Sequence, residues 1–327
     1  MATIATVRAN EHHSRFRMVA TWAGTVVLLA LLALTTDLEK AWEAFQAADH
    51  ILFPLSVTGF ILAAWIADAA TARVLLGYSG IRISFREFAW MRGASYLLNV
   101  VNYNLALVMM AAVVKRRTDR GWGAAGSPFL ALNFVDLAGL ALQVVGGLAF
   151  AGVLPQLGRT GTTMLLAVAL CALVMPFALS FVSRLNALPS FLGRLVMHDI
   201  FSSFRALTLQ RVAGLILLRS AFSSLYIVMT WANLHAFNIP VPLGDTFVFN
   251  PVIGLVGFLP VSVSGIGTTQ FLAREFFGPF VTGGLGPLAR NAAVDAYSTA
   301  SIVAALMVRA VISVICMPYV ARLKRGE

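Results

Sequence analysis

The part of this sequence richest in groups that can bind a ligand runs from Pro260 to Gln270. Two glycines, Gly265 and Gly267, let the backbone approach a ligand closely. The hydroxyl and amide side chains of the segment are Ser262, Ser264, Thr268, Thr269 and Gln270. Either threonine can cap the start of a helix. The pattern predicts a cradle for a phosphate or carboxylate, or else a packing site of small residues between helices.

Charged side chains inside apolar runs are the second candidate. Asp136 and Arg219 lie at similar distances from the ends of their runs, so they could pair at one depth. Arg309 lies near the middle of the last run. Charges within a membrane usually face the bundle interior and often mark a pathway. The alternatives are a structural ion pair or, for Asp68, an excursion to the membrane surface beside Arg73.

Three asparagines, Asn99, Asn102 and Asn104, interrupt the apolar run 93–114. An amide in lipid is costly unless it is hydrogen-bonded. These side chains would line a polar cavity at the tip of a membrane loop, or would bond to neighbouring helices.

The composition indicates that membrane-spanning elements hold these residues. The chain is 59% hydrophobic and 12% charged, with a mean hydropathy of +0.83, which is typical of membrane proteins. The net charge of +10 fits basic loops against anionic lipid, so we expect no nucleic acid partner. Cys171 and Cys316 lie in apolar runs as packing residues. We expect no metal, no cofactor and no catalytic residue.

The fold class predicted is an all-α polytopic membrane protein with about six spans plus two re-entrant helical hairpins. A cytoplasmic tail, 1–15, would precede a single membrane domain, 16–327. An amphipathic helix would lie on the membrane surface at about 186–211. The predicted spans are 18–35, 51–76, 128–154, 160–182, 212–234 and 296–320.

The first reason for a re-entrant hairpin is the stretch 247–277, which has too many prolines and glycines for one straight helix. It predicts half-helices at about 247–259 and 268–277. A half-helix of that length reaches about 20 Å, short of the roughly 30 Å hydrocarbon core. The chain would therefore enter the membrane and return.

The second reason is the run 93–114, which has basic residues on both sides. A full span would place one basic cluster outside, against the positive-inside tendency. With two re-entrant segments, most of the 24 lysines and arginines and both termini lie in the cytoplasm. One of these cytoplasmic clusters is Arg73, Arg82, Arg86 and Arg92. The units at about 51–154 and 212–320 then have opposite orientations, an inverted-repeat arrangement typical of transporters.

The segment from Pro260 to Gln270 resembles the P-x-x-x-G-G-x-G-x-x-E pattern of the lysylphosphatidylglycerol synthase transmembrane, or flippase-like, family. Pro260, Gly265 and Gly267 match, Ser264 replaces the first glycine and Gln270 replaces the acid. The run 99–115 is similar to the family's N-x-x-x-P-x-x-x-G segment, without its proline and glycine.

The resemblance implies a degenerate member of this family, without the aminoacyl-transferase domain of the family's synthases. Some members are associated with moving aminoacylated or glycosylated lipids or hopanoids. We therefore expect a plasma (inner) membrane lipid transporter that binds an anionic or glycosylated headgroup in a midplane cavity.

The walls of that cavity would be 265–269, the three asparagines and Arg219 or Arg309. The expected partners are membrane lipids, with a homo-oligomer left open. The alternatives are a membrane enzyme acting on a lipid phosphate, which would need paired acids, and a non-transporting assembly subunit. We also expect Gly267→Leu to abolish lipid binding while the fold stays intact.

Overall fold

The computed structural model describes residues 38–101, 103–118, 120–185, 198–257, 267–282 and 286–323. Within these ranges the chain forms helices and no strand, as the composition predicts. The α-helices are α1 (Leu38–Gln46), α2 (Leu52–Tyr78), α3 (Phe85–Val101), α4 (Tyr103–Thr118), α5 (Trp122–Ala151), α6 (Gly158–Val182), α7 (Ser202–Ala206), α8 (Leu209–Ala236), α9 (Leu243–Gly257), α10 (Thr268–Phe277) and α11 (Pro287–Leu323).

Five helices, α2, α5, α6, α8 and α11, are long and apolar enough to cross a membrane. The shortest, α6, has 25 residues and is about 37 Å long at the usual rise, more than the roughly 30 Å of a hydrocarbon core. They confirm five of the predicted spans. The sixth predicted span, 18–35, and the tail 1–15 lie outside the described residues.

Helices α3 and α4 form a hairpin. Glu87, near the start of α3, binds Arg117, near the end of α4, with Oε1 and Nη1 2.8 Å apart. The chain therefore returns to the side from which it came. The two helices pack against each other along their length, and Asn102 between them lies outside the described residues.

Helices α9 and α10 form a second hairpin. The rings of Phe249 and Phe276 stack with centroids 4.7 Å apart. At the other end of the pair, a Cβ on Gly257 would lie 3.3 Å from Cγ2 of Thr269. The bounds of α10 are those predicted, whereas α9 starts earlier than 247. The reason is a further helical turn that puts the acid Asp245 near the helix N-terminus, where its charge is favourable.

The two hairpins open at opposite faces of the molecule. At one face, the end of α2 lies beside the start of α5, and Arg120 Nη1 donates to the Ser79 carbonyl at 2.9 Å. We call it the basic face. Its described lysines and arginines are Arg82, Arg86, Lys115, Arg116, Arg117, Arg120, Arg184, Arg205 and Arg211. At the opposite face, which we call the far face, the Asp49 N–H donates to the Ala236 carbonyl at 2.8 Å, shortly before α9 begins.

Each hairpin packs against the long helices through apolar side chains. Phe88 and Met110 of the first hairpin belong to one apolar cluster, with residues of α2, α5 and α8. Phe249 and Phe276 of the second belong to another, with residues of α5 and α11. Both hairpins are therefore held against the long apolar helices of the protein.

The closest helix contact of the first hairpin is with α11. A Cβ placed on Gly93 of α3 would lie 2.4 Å from Sγ of Cys316, so a larger residue there would force Cys316 or the helices to shift. The Ser313 hydroxyl donates to the Ala94 carbonyl at 2.9 Å, and Trp90 stacks on Tyr319. Helix α11 therefore ends at the basic face, antiparallel to α3.

The predicted surface helix at 186–211 is wrong in its described part, since 186–197 lies outside the description. From Asp199 onward the chain forms a 3-10 turn and the short α7, and then breaks at Leu207. The Leu207 carbonyl accepts a bond from the Ser180 hydroxyl at 2.5 Å, and Thr208 caps α8. Phe204, one of the apolar residues expected to face lipid, is instead 0% exposed, whereas Phe201 is half-buried.

Candidate functional site

Four charged residues on four helices meet inside the bundle. Asp68 of α2 accepts hydrogen bonds from Arg92 of α3, through Nε at 3.0 Å and Nη2 at 2.8 Å. Its other oxygen accepts from Nη1 of Arg219 on α8 at 2.6 Å. The Nε of Arg219 contacts the carboxylate of Asp136 on α5. We call these four residues the charge cluster. It ties the first hairpin to three spans.

Close helix packing positions the cluster. A Cβ on Gly139 would lie 3.3 Å from Cβ of Arg219, so the glycine lets α5 and α8 approach each other. One turn further, Gln143 donates to the Ser220 carbonyl at 2.8 Å and to the Ser224 hydroxyl at 3.0 Å. These contacts fix the register that brings Asp136 to Arg219.

Arg309 lies beside the cluster and has a different environment. Its guanidinium lies over the ring of Tyr96, 5.9 Å from the centroid, and the guanidinium of Arg92 lies 5.4 Å from the same ring. Among the described residues, no carboxylate is within 4 Å of Arg309. The cluster with Arg309 holds three arginines and two aspartates, hence a net charge of +1. A surplus positive charge at this place makes Arg309 and its surroundings a candidate site for an anion.

At the second hairpin, the start of α10 is built around Gly267 and Gln270. Gly267 has φ +95° and ψ −53°, and both residues are buried. The side-chain oxygen of Gln270 accepts from the Gly267 N–H at 2.5 Å, as the third helical residue of a capping box does. The prediction that Thr268 or Thr269 caps this helix is therefore wrong, because Gly267 takes the cap position and Gln270 supplies the bond.

Other predicted site residues lie outside the described part of the chain. They are Pro260, Ser262, Ser264, Gly265 and Asn102. Asn99 and Asn104 lie in α3 and α4, but their side chains are likewise outside the description. The structure therefore brings together Asp136, Arg219 and Arg309 near the first hairpin. It places Gly267 to Gln270 on the second hairpin.

Comparison with known proteins identifies the family. The family model described as "Lysylphosphatidylglycerol synthase TM region" matches residues 21–317, most of the chain. The chain belongs to the lysylphosphatidylglycerol synthase TM region family. A search of curated proteins found no match. This family member is thus an integral membrane protein related to lipid handling.

Within this family member, the expected pairing of Asp136 with Arg219 is confirmed. The alternative that Asp68 reaches the membrane surface beside Arg73 is wrong, since Asp68 faces the bundle and binds Arg92 and Arg219. Arg92 was expected in a cytoplasmic loop cluster. It lies instead two turns into α3 and is 7% exposed, because the helix already begins at Phe85.

The conformation of Gly267 changes the expected outcome of Gly267→Leu. A φ of +95° is one that residues with a Cβ rarely adopt, so leucine there strains the backbone. The substitution would therefore disturb the start of α10, so loss of lipid in this variant would not by itself identify a binding site.

A second buried ion pair was not predicted from the sequence. Arg274 of α10 binds Asp295 of α11 through two bonds, Nε to Oδ1 at 2.7 Å and Nη2 to Oδ2 at 2.5 Å. The side chains are 8% and 9% exposed. Asp295 was placed before the last span, which was predicted to start at 296. The sequence could have predicted an earlier helix start, because alanine, leucine and valine continue between the polar residues of 287–295 into the apolar run.

Proposed function

We propose that this protein moves an anionic or glycosylated membrane lipid across the bilayer and binds its headgroup at mid-depth beside Arg309. The observation that carries the proposal is the surplus positive charge of the charge cluster and Arg309. Family membership supports a role in handling lipids.

The depth of the cluster supports the proposal. Asp68 lies ten residues before Tyr78, and Arg219 lies ten residues after Leu209, and both helix ends are at the basic face. Ten residues of helix are about 15 Å, half of the roughly 30 Å hydrocarbon core. A phosphate bound at Arg309 would therefore be near the middle of the membrane, where a headgroup has to pass.

The two hairpins support it as well. Gly93 of α3 contacts Cys316 of α11, and Tyr96, further along α3, contacts Arg309 of α11. The hairpin therefore extends from the end of α11 toward its middle. The second hairpin contacts α11 at Asp295. We interpret both hairpins as re-entrant segments that approach the middle of α11 from opposite faces, an arrangement typical of transporters. The role of 260–269 and of the asparagines in binding the headgroup stays a prediction.

We assign the basic face to the cytoplasm of a plasma (inner) membrane, because cytoplasmic loops carry an excess of lysine and arginine. Helix α11 ends at that face, which supports the proposal that the C-terminus is cytoplasmic. The predicted span 18–35 would connect the far face to a cytoplasmic N-terminus.

The enzyme alternative has less support. Catalysis by an acid on a lipid phosphate needs a carboxylate that is available for proton transfer. Asp68 and Asp136, the acids at mid-depth in the described residues, are both held by guanidinium groups.

The first prediction concerns Arg309 and lipid movement. The purified protein in liposomes should move fluorescent phosphatidylglycerol between leaflets, measured by dithionite quenching. Arg309→Gln should slow this movement about 10- to 100-fold, because a hydrogen bond to a charged group contributes about 1.5–3 kcal/mol. Arg290→Gln is the matched control, since Arg290 lies on the same helix near the far face and outside the charge cluster.

Equal rates in the two variants would contradict the proposal. Turnover of a labelled lipid-phosphate donor that is lost with Asp136→Asn would favour the enzyme. A stable co-purifying protein, with no lipid movement by the native chain, would favour the assembly subunit.

A further inference from the structure

A recess of about 550 Å³ opens on the basic face, between the end of α4 and the start of α5. It lies apart from the charge cluster, and nothing in the proposed transport mechanism uses it. The residues that line it are Ala112, Lys115, Arg116, Arg120 and Trp122.

The recess is strongly cationic. Among the described residues, no carboxylate lies within 4 Å of Lys115, Arg116 or Arg120, and neither Glu87 nor Asp199 lines it. The segment 115–120 has four basic residues against the single acid Asp119, a net charge of +3. The recess therefore offers more positive charge than the local chain neutralises.

Two of the basic groups are held in place. The guanidinium of Arg120 donates to the carbonyls of Ser79 at 2.9 Å and Gly80 at 3.3 Å, which fixes it against the end of α2. Lys115 lies over the ring of Trp122, with Nζ 4.5 Å from the centroid. A cation that is already ordered loses less conformational entropy when an anion binds.

The shape of α4 favours a lipid over a soluble anion. Val108, Ala112 and Arg116 follow one another at intervals of four residues, so they form one stripe on the helix. Val108 is 56% exposed, and Trp122 at the rim is 55% exposed. An apolar surface thus leads from the recess toward the membrane interior, and tryptophan is favoured at the membrane–water interface.

We propose that this recess binds the phosphate headgroup of an anionic phospholipid from the leaflet at the basic face. The phosphate lies between Lys115 and Arg116, and an acyl chain runs along Val108. Basic pockets between helices at the cytoplasmic side of a membrane are suited to such headgroups. The inference needs only that the chain sits in a bilayer, so it does not depend on lipid movement.

The test compares two double variants of the full chain that remove the same number of charges from the same face. Lys115→Gln/Arg116→Gln removes them from the recess. Arg82→Gln/Arg86→Gln removes them from exposed positions outside it. Binding of phosphatidylglycerol added to phosphatidylcholine nanodiscs is measured by native mass spectrometry. The recess variant should bind about 30-fold more weakly, at about 1 kcal/mol per basic residue near the surface, and the control within about threefold of native.

A second variant tests the shape without changing charge. Ala112→Trp fills the recess, and it should lose the same phosphatidylglycerol as the charge variant. Equal affinities of the recess and control variants, or full binding by Ala112→Trp, would overturn the proposal. Displacement of the lipid by inorganic phosphate at equal concentration would also overturn it, because the site would then select a soluble anion.

Arg309→Gln separates this inference from the proposed function. Its side chain lies outside the recess, so the recess and control variants compared in an Arg309→Gln background should show the same difference in phosphatidylglycerol affinity even if lipid movement is lost. If lipid movement is not observed, binding at the recess can still be tested, and the reverse also holds.

Discussion

The amide of Gln270 performs the local task that an acid could perform at the same position. It accepts a hydrogen bond from the Gly267 N–H, and glutamine and glutamate are both suited to this part of a capping box. The family pattern has an acid here, so the substitution keeps the bond and removes a negative charge. We infer that Gln270 fixes the start of α10 and that no charge is needed for this.

A prediction at the residue scale concerns the pair of Arg274 and Asp295. Asp295→Leu should lower the free energy of unfolding by about 3–5 kcal/mol, because it removes the carboxylate that pairs with the buried guanidinium of Arg274. Thermal unfolding in detergent measures the change. The double variant Arg274→Met/Asp295→Leu should recover most of the loss, since no buried charge remains.

The control for this pair is Glu275→Gln, an exposed change next to Arg274. If Asp295→Leu unfolds at the same temperature as Glu275→Gln, the ion pair does not stabilise the second hairpin.

Residue types alone could not have identified every member of the charge cluster. The depth of Asp136 and Arg219 in their spans predicted that they meet, because a charge in an apolar run needs a partner. Asp68 needed one too, but it was considered only beside Arg73, and Arg92 was expected in a cytoplasmic loop cluster. The partner depends on where α3 begins and how it crosses α2, and both are set by packing between distant parts of the chain.

At the scale of elements, the first hairpin depends on a clasp at its open end. Ser84 and Glu87 start α3 with reciprocal bonds, and Glu87 also binds Arg117 of α4. Partial burial raises the pKa of Glu87, but the hydrogen bonds from Arg117 and Ser84 outweigh it, and the pKa is below its ordinary value near 4.5. The clasp is therefore charged at neutral pH.

The clasp predicts a small, pH-dependent contribution to stability. Glu87→Gln should lower the unfolding free energy by at most about 1 kcal/mol, since both side chains are partly exposed. A carboxylate with a lowered pKa stabilises fully above its unfolded-state pKa and loses the effect as pH falls through the folded-state pKa. The gap in unfolding temperature between native protein and Glu87→Gln should therefore close below about pH 4.

Arg86→Gln, in the same first turn of α3, is the matched control and should show no such gap. A gap that persists at low pH would mean that Glu87 acts through its shape, independently of its charge.

Helix boundaries could be predicted where the thickness of the membrane determines them. They were harder to predict where contacts with other parts of the protein determine them. The breakers of 247–277 and the length of the hydrocarbon core were enough to predict α10. The start of α11 was missed because Arg290, Asn291 and Asp295 interrupt the apolar residues of 287–295, and hydropathy detects best the lipid-facing part of a helix. The break at Leu207 was missed because it depends on a hydroxyl from α6, Ser180, that no local pattern reveals.

At the scale of the whole molecule, the uneven distribution of charge sets the proposed orientation. The basic face collects the arginines and lysines of five helix ends and the 198–211 segment. The far face has the acids of α1 together with Asp49 and Asp245. Because membrane insertion responds to this asymmetry, the general layout could be predicted before any contact was known.

The orientation predicts opposite reactivity of two exposed arginine positions. In a Cys171→Ser/Cys316→Ser background, Arg82→Cys at the basic face should react with a membrane-impermeant maleimide only in inverted vesicles. Arg159→Cys at the far face should react only in intact cells. Labelling of both positions from one side would contradict opposite faces, and the reverse result would invert the proposed orientation.

Because Gly93 covers Cys316, the rate at which the Cys316 thiol is alkylated reports movement of the first hairpin. The thiol is 0% exposed because α3 lies directly on it. A small alkylating reagent can therefore reach it only while α3 is separated from α11. If the hairpin moves during each cycle of lipid transport, the rate of Cys316 alkylation should depend on how often α3 separates from α11. Adding lipid substrate should then change that rate. The measurement uses a native cysteine, so no label has to be introduced.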